Sequence, residues 1–181
     1  MPLNKLRLIV LALCLAPMAV PASAQDTEQL VRGRASYSPA LTLALLKKIE
    51  AFCAGADKSA REPLAKAIAA WQQRHAGLLL ENARVRDELI AEANAPTAPP
   101  GLKAELDRML KVRVPEQVES DYRKLVPPDA SKGWASKAFT CGAHAGTIDS
   151  GQYDLARFDP AVAAYLQKRM HQAGKGGAGG Q

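Results

Sequence analysis

Between Leu64 and Leu89 the residues Leu64, Ile68, Trp71, His75, Leu78, Asn82, Val85 and Leu89 recur in steps of 4, 3, 4, 3, 4, 3 and 4. That alternation is the seam of a helix packed along other helices, and no strand could use it, because a strand buries every second residue. A helix running from Pro63 to Ala95 would make a rod of about 50 Å, with Gly77 as the place for a bend. Three prolines in NAPTAPPG, Asn94 to Gly101, end it, since proline has no N–H to donate and clashes with the preceding turn.

The same periodicity recurs elsewhere. Ser38-Pro39 reads as a cap followed by proline at the first helical position, opening a helix that carries Leu41, Leu45, Ile49 and Phe52 to Gly55. The long helix starts between Ser59 and Pro63. A further helix is expected over about Leu102–Val112. Pro115 opens the next, PEQVESDYRKLV, which Pro127-Pro128 stops. A short helix then leads through Trp134 and Phe139 to Cys141, a loop spans Gly142 to Phe158, and Asp159-Pro160 starts the last helix, with Val162, Tyr165, Leu166 and Met170 on its face. No run alternates with period two, so the expectation is an all-α chain: a small bundle of about five to six helices around one core, with no sheet.

The beginning, MPLNKLRLIVLALCLAPMAVPASAQD, has a basic start (Lys5, Arg7), an apolar stretch and small residues at Ala22-Ser23-Ala24. These are the parts of a secretory signal, cleaved after Ala24, and the apolar stretch is short of the roughly 20 residues a membrane span needs. The resulting division is a signal over 1–24, a loose leader over 25–37, one helical domain over 38–172 and a disordered glycine-rich tail over 173–181. Export implies a periplasmic or secreted location. It also implies that Cys53 and Cys141, the two cysteines left after cleavage, form one disulfide. Such a bond closes a loop of about 90 residues and contributes roughly 4 to 5 kcal/mol through the unfolded state.

Charge narrows the choice of partners. The formal net charge of +6 falls by two once Lys5 and Arg7 leave, and the remaining Lys and Arg alternate with Glu and Asp in segments such as ENARVRDELIAE. That is the pattern of a solvated helix face. With aromatics at 5% and no clustered basic stripe, no nucleic-acid partner is expected. The expected partner is another envelope protein or a cell-wall component, and the expected assembly state is a monomer or weak homodimer.

Four residues are the candidates for binding or for a polar core. His75 and Asn82 interrupt the apolar seam seven residues apart; they are either a ligand pair inside the bundle or polar groups that set helix register, and the second reading is preferred. Glu81 and Glu88 lie off that seam, so no acid completes a metal set. In FTCGAHAGTIDSG, His144 follows Cys141 at C-x-x-H spacing with Asp149 and Ser150 near. This is a catalytic loop only if the thiol is free, and the disulfide excludes that. Trp134 is the aromatic most suited to a partner anchor, whereas Trp71 reads as core. Haem attached through C-x-x-C-H is absent, and Met109, Met170 and His171 are the donors left for a noncovalent haem. The resulting expectation is an exported helical binding protein with no catalytic residue, no metal and no cofactor. An envelope enzyme using Cys141, His144 and Asp149, or a haem- or metal-binding bundle, is the alternative.

Overall fold

The computed structural model describes residues 22–126 and 134–176. Within them the chain is helix and turn with no strand. It runs α1 (Ala22–Ala35), α2 (Ser38–Cys53), α3 (Lys58–Arg74), α4 (Ala76–Asn94), α5 (Leu102–Arg108), a π turn (Met109–Arg113), α6 (Val114–Leu125), α7 (Trp134–Asp149), α8 (Leu155–Phe158) and α9 (Pro160–Gly176). No helix among the described residues is long and apolar enough to cross a membrane.

Two apolar clusters form in place of the single core expected. The larger joins α2, α3 and α7: Leu46, Ile49 and Cys53 meet Leu64, Ile68 and Trp71 on one side and Cys141, Ala145 and Ile148 on the other. Alanines at 60, 67 and 145 keep the α3–α7 contact, the broadest in the molecule, free of bulk. Cys53 and Cys141 are bonded with Cα atoms 5.9 Å apart, closing an 88-residue separation. The smaller cluster holds Ala35 of α1, Val85 of α4, Leu155 of α8, and Val162, Ala163 and Leu166 of α9.

A ladder of charges reinforces the smaller cluster. Arg169 of α9 donates from Nε to Glu81 at 2.7 Å and from Nη2 to Glu88 at 2.5 Å. Arg32 of α1 donates to Glu92 at 2.8 Å and lies 3.6 Å from Glu88. Burial works against the Arg169 charge, yet its bonds to the two carboxylates outweigh that and raise its pKa. The Arg32 hydrogen bond likewise holds the Glu92 carboxyl below its ordinary range. The acids of ENARVRDELIAE are therefore not simply a solvated face, and Glu81 is only 2% exposed.

Several boundaries differ from the sequence reading, each for a physical reason. Residues 25–35 of the expected loose leader belong to α1, whose Val31 and Ala35 pack into the smaller cluster. Ala22–Ala24 of the expected signal open that helix, and the rest of it lies outside the described residues. The long rod divides at His75, whose φ of −103° and ψ of 7° leave the helical region, although His75 N–H still reaches the Trp71 carbonyl and Leu79 N–H the His75 carbonyl. The break falls two residues before Gly77, and that glycine instead makes room for Met170 of α9, which lies where a side chain would stand. α3 starts at Lys58, one residue ahead of the expected range, with Asp57 capping it by accepting from Ala60 N–H at 3.1 Å. The two helices expected on either side of Pro115 form one bent rod. Pro115 has no N–H for the carbonyl four residues back, and Val114 N–H reaches instead to Met109, five back, as a π turn.

The expected loop after Cys141 is also a correction. α7 continues through Gly142 and Gly146 to Asp149, and Leu155–Phe158 is helical as well. Each glycine costs the helix about 1 kcal/mol relative to alanine, but the opposite face of α7 buries Cys141, Ala145 and Ile148, which outweighs it. At the other end α9 runs through residues 173–176 of the expected tail, and 177–181 lie outside the described residues.

Candidate functional site

His75 and His144, far apart in the chain, converge on the same short turn between α7 and α8. Gly151 makes that turn possible with φ at +72°, a conformation L side chains rarely adopt, and a Cβ there would stand 3.0 Å from Asp154 Oδ2. From α3, Trp71 Nε1–H donates to the Tyr153 carbonyl at 3.1 Å. Arg74 donates to the Ile148 carbonyl at 3.3 Å and to Asp154 at 3.4 Å. The His75 ring stacks on Trp71, with centroids 4.4 Å apart and planes 15° from parallel.

Both imidazoles are spoken for. His75 Nδ1 lies 2.9 Å from the Trp71 carbonyl, which can only accept, so Nδ1 carries the hydrogen; Nε2 faces Asp154 Oδ1 at 3.6 Å. By the same logic His144 Nε2–H donates to the Leu125 carbonyl at 3.2 Å, leaving Nδ1 to accept from the Tyr153 hydroxyl at 3.4 Å. Burial lowers the His144 pKa more than that carbonyl raises it, and burial raises the Tyr153 pKa. A general base needs a lone pair aimed at a substrate: His144 Nδ1 is taken by the Tyr153 hydroxyl, and Nε2 of the buried His75 ring faces the Asp154 carboxylate inside the turn. The network positions a turn.

The remaining candidates are dispersed. Asn82 is buried, and its Nδ2–H donates at 2.6 Å to the carbonyl of Ala35, the last residue of α1, so it ties the end of that helix to α4. Cys141 is in the disulfide, and Asp149 is exposed, lining a surface hollow with Lys58 and Lys66. The loop set of Cys141, His144 and Asp149 thus occupies different faces of one helix. Met170 lies on Gly77, Met109 lines a different part of the surface, and His171 is exposed. Among the described residues no group of three His, Cys, Asp or Glu side chains is gathered as a metal site. Trp134 opens α7, and its side chain lies outside the described residues.

A second feature escapes sequence reading. α1 and α5 stand apart as two walls of a groove of about 750 Å³. One wall presents Leu30, Gly33 and Tyr37, the other Leu102, Glu105 and Met109. Leu30 and Gly33 lie one turn apart on α1 with Tyr37 in the turn that follows it, and Leu102, Glu105 and Met109 follow the i, i+3, i+7 spacing of one helix face. Leu30 is 69% exposed, and neither α5 nor the π turn buries a single residue, although Leu102, Leu106, Met109, Leu110 and Val112 lie in them. The signal was present in Leu30 and Gly33, but only once 22–35 is recognised as helix.

Comparison with models of known families, with curated proteins and with solved structures finds no match to this chain.

Proposed function

We propose that this chain is an exported helical binding protein of a periplasm-like compartment that takes a helical segment of a polypeptide into the groove between α1 and α5. The observation that carries the reading is the facing pair of apolar walls, in which Leu30 and Leu102 are exposed and Tyr37 and Met109 half-buried across a gap. Leaving such side chains in water forgoes about 25 cal/mol for each Å² of apolar surface, and a helix laid between the walls recovers it. The lining is mostly apolar and carries one acid and one base, Glu105 and Arg34, which suits side chains better than a sugar polymer or a polyanion. This favours an envelope polypeptide over a cell-wall component. The disulfide supports an oxidising location, and the burial of His75 and His144 against the Gly151–Asp154 turn supports binding over catalysis.

The test is photo-crosslinking from position 102 in intact cells that export the protein. A polypeptide adduct that disappears when Leu30→Asp is introduced supports the reading. Adducts that are unchanged by Leu30→Asp, or none from position 102 while a probe at exposed Phe158 gives one, would overturn it.

A further inference from the structure

We propose that the polypeptide this groove receives is α1 of a second copy, paired antiparallel about a twofold axis. The inference rests on the reading of the groove as a binding surface and names its occupant.

Self-complementarity carries it. Leu30 projects from α1, and Gly33 lies one turn later on the same face, where no described atom beyond its own turn of helix comes within 4 Å of where its Cβ would stand. A knob and a hole one turn apart on one helix fit a second copy of that helix running the other way. The twofold seats each Leu30 over the other copy's Gly33 in a single operation, which is the self-match an isologous interface requires.

Gly33 supplies an independent argument. A glycine inside a helix costs about 0.5–1 kcal/mol relative to alanine. Packing within one copy gives no reason for it, because the space above it is open. Close approach of another backbone is such a reason, since a Cβ would hold the two helices apart.

Charge fits the same arrangement. Arg34 and Glu105 stand on opposite walls, and in a single copy their side chains remain 45% and 52% exposed, each held by surface ion pairs to Asp159 and to Arg108 and Arg113. With the incoming helix between the walls, its Arg34 faces the acid of α5, and the symmetry repeats the contact. The order across the interface becomes α5, second α1, first α1, second α5. About two turns of helix from each copy meet, an area at the small end of specific interfaces, so the dimer is weak and depends on concentration.

The test is sedimentation of the purified, oxidised protein over a wide concentration range, with Leu30→Asp and Gly33→Leu as variants. Wild type should move from the monomer mass towards twice that mass. Both variants should remain monomeric while keeping the wild-type helical circular dichroism and a thermal midpoint no more than a few degrees below wild type, Gly33→Leu at or slightly above it, because Leu30 is exposed and Gly33 has room among the described residues of its own chain. Mixing Leu30→Cys with Gly33→Cys protein should give a covalent dimer in greater yield than either variant alone. A wild type that stays monomeric overturns the proposal, as does a dimer indifferent to both variants or an equal covalent yield from the unmixed proteins. A monomer that still crosslinks another envelope polypeptide from position 102 overturns only the choice of occupant. No dimer and no crosslink overturns the groove as well.

Discussion

The two clusters are held by different means. Around α2, α3 and α7 the contacts are apolar and one is covalent, whereas around α1, α4 and α9 a handful of apolar side chains is framed by Glu81, Glu88, Glu92, Arg32 and Arg169. Part of the difference follows from sequence distance, although α7, far from α2 and α3 in the chain, is tied to them covalently. α2 and α3 are adjacent and share an apolar periodicity strong enough to pair them. α1 and α9 are at opposite ends of the chain, and directional ion pairs specify a partner that hydrophobicity alone would leave ambiguous. His75 stands between the two regimes, at the break where α3 serves the first cluster and α4 the second.

The comparison can be broken most forcefully at the covalent link. Reduction, or the double change Cys53→Ala and Cys141→Ala, should cost about 4–5 kcal/mol and lower the thermal midpoint by roughly 10–18 °C in calorimetry. A midpoint unmoved by reductant would show that apolar packing alone holds the first cluster. Next comes Glu81→Gln, which leaves Arg169 with Glu88 but without its buried partner. The expected loss is about 1–3 kcal/mol, towards the lower end because Arg169 is partly exposed. Molar salt should narrow the gap between this variant and wild type and leave the cysteine variant's deficit unchanged. If both respond to salt alike, the contrast between the clusters is wrong.

Smaller effects sharpen the contrast. Gly33→Ala, measured by chemical denaturation at low protein concentration, should stabilise by about 0.5–1 kcal/mol, because the Cβ meets nothing. The smallest effect expected is a drift with pH from His144. Its folded pKa is depressed, so the unfolded chain binds the proton first as pH falls. The His144 contribution is therefore complete above about pH 6.5, declines below it, and levels off once the folded ring is protonated. His144→Gln should flatten that part of the stability profile, and an unchanged slope would contradict the depression.

Much of this was legible in the residues. Prolines and the 4-3 seam mark the helices, the pair of cysteines left outside the expected signal marks the disulfide, and Asn82 on an apolar seam marks a buried polar contact. What stayed hidden depended on partners distant in sequence. Glu81 reads as surface because Arg169, which neutralises it, is 88 residues away. α1 reads as a loose leader because its own apolar residues are few and its ion pairs lie on α4 and α9. α7 reads as a loop because glycines dominate one side, while the face that decides its fate touches α3. The site network was half visible: His75 and His144 were singled out, but that they meet one turn depends on Tyr153 and Asp154, which carry no local pattern.

The pairing of α1 with α9 has a consequence for how the protein is made. Arg34 and Asp159, joined side chain to side chain, are separated by 125 residues. At a synthesis rate of about 5–20 residues per second, α1 emerges roughly 6–25 s before the helix that covers it. Throughout that interval the α2–α3 pairing can form from neighbours already made, while α1 waits with Val31 and Ala35 bare. α1 is thus made before the other described helices yet among the last of them to be buried, and while it waits it is a segment a chaperone could cover.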